Sequence, residues 1–202
     1  MSNDDSLHDR TDFGTGRGKV YPASRARALL TPLRRILQSP HRLARRLAPS
    51  PTDRILELGC GPGYFSPSLA RAFPEGHLEL CDLQAAMIEL AADRLREAGI
   101  RNFATSTADA RSLPYPDDGF DAAVLVAVLG EVPDPGACLS ELARVLRPGG
   151  RLLIDEIGTD ADFIPLRALR ALASEAGFGL DQCWGPRVHY TARFTNQPTH
   201  SR

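Results

Sequence analysis

The 202-residue sequence predicts a doubly wound α/β domain, with a mostly parallel seven-stranded sheet and a C-terminal antiparallel hairpin. Three observations predict it. From Pro51 onward, short apolar runs alternate with stretches of helical period, the pattern of βαβ units with helices on both sheet faces. The first run ends in a glycine cluster, Gly59-Cys-Gly-Pro-Gly63, where a strand turns into a helix. The last two runs are joined by Gly185-Pro186, which breaks the alternation and closes a hairpin.

Residues 1–18 are polar and glycine-bearing without apolar period, and read as a disordered tail. Residues 19–50 read as an N-terminal helical cap. Leu29, Leu33, Ile36 and Leu37 recur at helical spacing, as do Leu43 and Leu47 in a second piece. Ser39-Pro40 divides the two pieces as N-cap and first helical residue. The core is expected over residues 51–195, with a tail at 196–202. Its strands are expected at residues 54–58, 77–81, 103–106, 120–128, 151–155, 179–184 and 188–195. The 120–128 run is the most hydrophobic and therefore the expected central strand. Helices are expected at 66–73, at 85–98 closed by Gly99, at 135–147 between Asp134 and Pro148-Gly149-Gly150, and at 165–176.

Composition narrows the function classes. Hydrophobic residues make up 43%, which excludes a mostly disordered chain. Basic and acidic residues number 24 and 25, a balance unlike a surface built throughout for nucleic acid. No apolar stretch approaches the ~20 residues of a membrane span, and the acid-bearing N-terminus is unlike a signal peptide, so the expected location is cytoplasmic. The four cysteines (Cys60, Cys81, Cys138, Cys183) form no C-x-x-C pair and read as small buried apolar residues, with no metal site expected. Arg25, Arg27, Arg34, Arg35, Arg42, Arg45 and Arg46 stand in the helical cap with no acidic residue among them. They read as the face of amphipathic helices whose arginines are solvated or pair with carboxylates elsewhere, the alternative being a basic patch for nucleic acid or an anionic surface.

Ligands in open α/β sheets sit beyond the carboxyl ends of the strands, where strand order reverses. At the first such end the glycines let backbone approach a ligand closely. Tyr64 stands where a dinucleotide fingerprint has its third glycine, which argues against a pyrophosphate and hence against a nicotinamide oxidoreductase. Asp82 follows roughly 20 residues beyond Gly59, the place of an acid that grips ribose hydroxyls. Asp109 ends the third strand, placed to accept from an exocyclic amine, and Glu131 follows the fourth.

Ile55-Leu-Glu-Leu-Gly-Cys-Gly-Pro-Gly63, Asp82, Thr107-Ala-Asp109-Ala with Leu113-Pro114, Phe120-Asp121, and Leu146-Arg-Pro-Gly-Gly-Arg-Leu-Leu153 resemble, in order, the motifs of class I S-adenosylmethionine-dependent methyltransferases. The resemblance is closest to the type 11, ubiquinone-biosynthesis-like branch and covers roughly residues 20–195. It implies a Rossmann-like fold, S-adenosyl-L-methionine as cofactor and an unidentified, small-molecule methyl acceptor. By position it implies that Glu57 and the turn of Gly59, Gly61 and Gly63 hold the methionine portion. Asp82 would take the ribose, Leu83 and Met87 would pack near the adenine, and Asp109 with the Ala110 backbone would read its amine. The chain departs from the branch at Ala23-Ser24 and at Gly130, changes expected to enlarge or loosen the acceptor pocket. Val126 stands where methyltransferases of planar amides and nucleobase amines carry Asn or Asp, which argues against such acceptors. Glu131 is the first candidate for a catalytic base, held otherwise as a structural carboxylate pairing with Arg34 or Arg35; Asp155, Glu156 and His189 are secondary candidates. The expected state is a monomer or homodimer with no membrane partner. An RNA methyltransferase and a non-catalytic nucleoside-binding module are the alternatives.

Overall fold

The run Phe120–Val126 is apolar on both sides of the chain, so as a strand it needs cover on both faces. In the computed structural model it is β4, near the middle of a seven-stranded sheet ordered β3-β2-β1-β4-β5-β7-β6. The structure describes residues 19, 21–30 and 38–197, except the side chains of 27–29. The expected tail at 1–18 lies outside these residues, as do Leu33, Arg34, Arg35, Ile36 and Leu37 and the side chains of Arg27 and Leu29.

The strands are β1 (Arg54–Leu58), β2 (His77–Asp82), β3 (Phe103–Thr107), β4, β5 (Leu146–Ile157), β6 (Phe178–Trp184) and β7 (His189–Asn196). β1 to β5 run parallel; β7 returns antiparallel to β5 and β6 antiparallel to β7. The helices are α1 (Pro40–Leu47), α2 (Ser66–Ala70), α3 (Ala85–Glu97), α4 (Pro135–Val145) and α5 (Leu166–Glu175), with a 3-10 helix at Ala23–Leu30. Alternation along the strands sorts the core into two layers. Ile55, Leu78, Leu80, Ala122, Val124 and Leu153 pack with apolar residues of α1, α2 and α3. Leu56, Ala123, Leu125, Leu152, Ile154 and Phe194 pack on the opposite face with those of α4 and α5.

Capping chemistry sets several boundaries. Ser39 Oγ accepts from Arg42 N at 3.4 Å to open α1, and Asp134 Oδ1 accepts from Ala137 N at 3.0 Å to open α4. The C-terminal carbonyls of α1 are met by arginines of the sheet: Arg193 Nη1 donates to Arg46 O at 2.8 Å, and Arg151 donates to Ala48 O and pairs with Asp53. Arg46 itself lies over the Trp184 ring, 5.3 Å from its centroid. The cap thus joins the core through its last turn.

Three expectations are corrected. β5 begins at Leu146 rather than 151, because fully buried Leu146 pairs with Phe120 before a bulge at Pro148-Gly149-Gly150 restores the register at Arg151. The helix expected at 66–73 closes at Ala70. Cys183 is exposed, unlike the three buried cysteines, because it lies on edge strand β6. Among the described residues, no helix is long and apolar enough to cross a membrane.

Leu56 is fully buried in β1, whereas Leu180 on β6 is 37% exposed. Leu56→Ala is expected to lower the unfolding free energy by about 2–5 kcal/mol, and Leu180→Ala by about 0.5 kcal/mol or less, as read from urea denaturation.

Candidate functional site

The sheet order reverses between β1 and β4, so their carboxyl ends diverge and leave a crevice. The turn 59–63 lies at its head. Gly59 N and Cys60 N donate to Cys81 O at 2.8 and 3.2 Å, tying the turn to the end of β2. Gly59 has φ +69°, and a Cβ there would lie 2.4 Å from a Val128 methyl carbon on the loop leaving β4. Gly63 has φ +74°, and a Cβ would meet Ala91 Cα of α3 at 2.8 Å. Glycine at these two positions is what lets the crevice wall, the turn and α3 close on one another.

Asp82 is 8% exposed and carries the turn. Its Oδ2 accepts from Gly61 N at 2.9 Å and its Oδ1 from Gln84 N at 3.0 Å. Burial raises its pKa against these backbone bonds. A carboxylate offers about four acceptor sites, so Asp82 can still accept from a ligand diol. Glu57, in β1 beneath the turn, is 4% exposed, and its Oε2 has no hydrogen-bond partner. Burial pushes its carboxyl up to about 8, opposed by the Ser66 hydroxyl and reinforced by Asp82. A buried carboxyl with an unpaired oxygen suits a cationic amine better than a phosphate.

Residues 21–23 cross this crevice. Tyr21 N donates to Glu131 Oε2 at 3.0 Å, Ala23 N donates to Gln84 Oε1 at 2.9 Å, and Gln84 Nε2 donates to Tyr21 O at 2.8 Å. Gln84 follows β2 and Glu131 follows β4, so the strap spans the end of β1 between them. Glu131 is half-buried, and burial pushes its carboxyl up to about 8, with Asp162, Asp82 and Asp160 adding repulsion. Its observed partner is thus the Tyr21 backbone; the expected partners Arg34 and Arg35 lie outside the described residues.

The remaining expected residues divide. Leu83 and Ala110 are half-buried beside the crevice elements, and Met87 is 2% exposed in the core. Asp109 makes a bidentate pair with Arg111, Nε–Oδ1 3.0 Å and Nη2–Oδ2 2.6 Å, which holds its carboxyl below the usual range. The space beside Gly130, expected to widen the acceptor side, is filled: a Cβ there would lie 2.1 Å from Asp162 O. Glu156 Oε2 accepts from Ile164 N at 3.1 Å, which turns it toward the loop before α5. Asp155 and His189 lie at the paired ends of β5 and β7.

Gln84 was not singled out by the sequence. Its signal is an N-cap position of α3 held by a residue whose side chain makes no cap, which leaves both amide atoms for the strap.

A methyltransferase-domain family model matches residues 49–196. A ubiquinone/menaquinone biosynthesis C-methyltransferase of Vibrio vulnificus is 40% identical over 108 residues, covering 52% of this chain and 42% of that protein. The chain therefore spans less than half the length of this curated relative. A SAM-dependent methyltransferase structure from Aquifex aeolicus aligns with TM-score 0.79 at 19% identity, covering 87% of this chain and 99% of that one. The [4+2]-cyclase SpnF aligns with TM-score 0.71 at 20% identity over 95% and 90% of the two chains. These two likenesses establish the fold.

Glu57, Glu131 and Glu156 each hold a proton in the folded state up to about pH 8, where the unfolded chain has lost it above about pH 4.5. Stability is therefore expected to fall as pH rises through that window and to level off beyond it. Glu57→Gln removes one such group. Its melting temperature is expected to match the parent near pH 5 and exceed it at pH 8, as read by calorimetry without ligand.

Proposed function

The chain belongs to the methyltransferase-domain family, and from that premise we propose that it transfers a methyl group from S-adenosyl-L-methionine to a small-molecule acceptor. The observation that carries this reading is the pair of buried acids at the crevice head, Glu57 with an unpaired oxygen and Asp82 beneath the glycine turn. They suit the two polar features of that cofactor, an ammonium and a ribose diol, and Tyr64 stands where a phosphate-binding turn has glycine. The Vibrio vulnificus relative, a C-methyltransferase of quinone biosynthesis, adds a quinone-like carbon acceptor as one class within this reading.

In that role Glu57 binds the ammonium, Gly59 and Gly61 present backbone to the methionine portion, and Asp82 accepts from the ribose hydroxyls. Leu83, Met87 and the Ala110 backbone would flank the adenine, with Asp109 reading its amine once it yields part of its Arg111 contact. S-adenosylmethionine supplies an electrophilic methyl group on a sulfonium. The protein's part is alignment, which lowers such barriers by about 7–11 kcal/mol when the reacting atoms are held near contact. Glu131 is the proposed base for an acceptor carrying an acidic proton. Its raised pKa places the ionised, proton-accepting form near and above pH 8, and the strap holds its Oε2 through Tyr21 N.

S-adenosylhomocysteine, but not NAD, is expected to raise the melting temperature, and Asp82→Asn to weaken its binding at least about tenfold by titration calorimetry. Radiolabelled methyl transfer into fractionated small molecules, RNA and protein identifies the acceptor class; label in RNA alone would overturn the small-molecule reading. With an acceptor in hand, turnover is expected to rise with pH through about 8. Glu131→Gln should abolish that limb while changing cofactor affinity less than about twofold. Lost cofactor binding in that variant would instead make Glu131 only the anchor of the strap.

A further inference from the structure

A second cavity, of about 210 Å³, opens between α1, the residue Phe65 after the glycine turn, the end of β5 and the β6–β7 turn. It adjoins the crevice: Ala127 N, leaving β4, donates to Asp155 O at 2.9 Å, and Phe65 directly follows the 59–64 segment. Its floor is Asp155, 4% exposed and held on both oxygens. Oδ1 accepts from Gln38 Nε2 at 2.9 Å, and Oδ2 from Thr191 Oγ1 at 2.5 Å. Thr191 Oγ1 accepts in turn from Arg46 Nη1 at 2.5 Å, and His189 Nε2 lies 3.7 Å from Asp155 Oδ1.

The single carboxylate of this wall is therefore already met by groups of the chain. Against it stand two guanidinium groups, Arg42 and Arg46, and the His189 imidazole. Burial lowers the Arg46 pKa, the like charge of Arg42 lowers it further, and the Asp155 carboxylate opposes them. Arg42 is exposed and enters no ion pair among the described residues. Leu43 and Phe65 supply an apolar side, and the volume is that of roughly seven waters, enough for one ring or a short chain.

We propose that this cavity seats the methyl acceptor and that the acceptor is a small carboxylic acid, its carboxylate held by Arg42 and His189. The Arg46–Thr191–Asp155 chain positions His189 and neutralises the floor, so that the entering anion meets donors and not a bare carboxylate. This rests on the methyl-transfer reading only for the identity of the acid as acceptor; the anion site stands on its own residues.

The test uses the full chain, with benzoate as probe and benzamide as its neutral counterpart, titrated by calorimetry with and without saturating S-adenosylhomocysteine. Benzoate is expected to bind at least about tenfold more tightly than benzamide, and together with the nucleoside. Arg42→Gln, an exposed position, should erase that preference while the melting temperature and the affinity for S-adenosylhomocysteine stay unchanged. Equal binding of the two probes, no benzoate binding, an unaffected Arg42→Gln variant, or displacement of benzoate by the nucleoside would overturn the proposal. Absence of heat with S-adenosylhomocysteine itself would refute the cofactor reading, and the benzoate–benzamide contrast would still decide on the cavity.

Discussion

The crevice depends on one carboxylate. Asp82 joins three elements that sequence alone leaves separate: its own strand β2, the glycine turn through Gly61 N, and the start of α3 through Gln84 N. Each is a charge-assisted hydrogen bond in a nearly water-free setting, the stronger class of such bonds. Burial works against the ionised form, and backbone donors of Gln84, Gly61 and Leu83 work for it. The turn stays folded over the end of β1 because this balance holds. Glycine at positions 59 and 63 then allows the loop after β4 and helix α3 to approach without collision.

The N-terminal cap is attached by a different kind of chemistry. Arg151, Arg193 and Arg46 tie α1 to the sheet through carbonyls, a carboxylate and an indole face. Arginine suits this work because its fork serves several acceptors at once while its plane stacks on Trp184. The arginine-rich composition is thereby explained in part as structural. Leu43, Ala44 and Leu47 are buried beneath the same helix, so its apolar stripe and its charged side both bear on the core.

Much of this was legible in the residues. The strand positions and the hairpin follow from apolar period and glycine punctuation. β1 falls on Arg54–Leu58 as expected, and Ser39 and Asp134 cap the helices assigned to them. The bulged start of β5 was hidden because Pro148-Gly149-Gly150 signals a stop, whereas the burial of Leu146 that overrides it depends on tertiary packing. At the site, Glu57, Asp82 and the glycines could be picked out because a local motif carries them. Gln84, Gln38 and Thr191 could not, since each acts through a partner 60 or more residues away or across paired strands, with no local spacing to betray it. The Asp109–Arg111 pair lay in plain view two residues apart, but only geometry shows that it closes.

Among the described residues, the strap at residues 21–23 is fastened by three hydrogen bonds to side chains, two to Gln84 and one to Glu131. At about 1 kcal/mol each, such bonds amount to a fraction of a domain's global stability. The clasp can therefore spring open while every strand of the sheet remains paired, as a local event with its own equilibrium. A guest in the crevice would then leave by the parting of two backbone amides from a glutamine and a glutamate, and not by the unfolding of the protein that houses it.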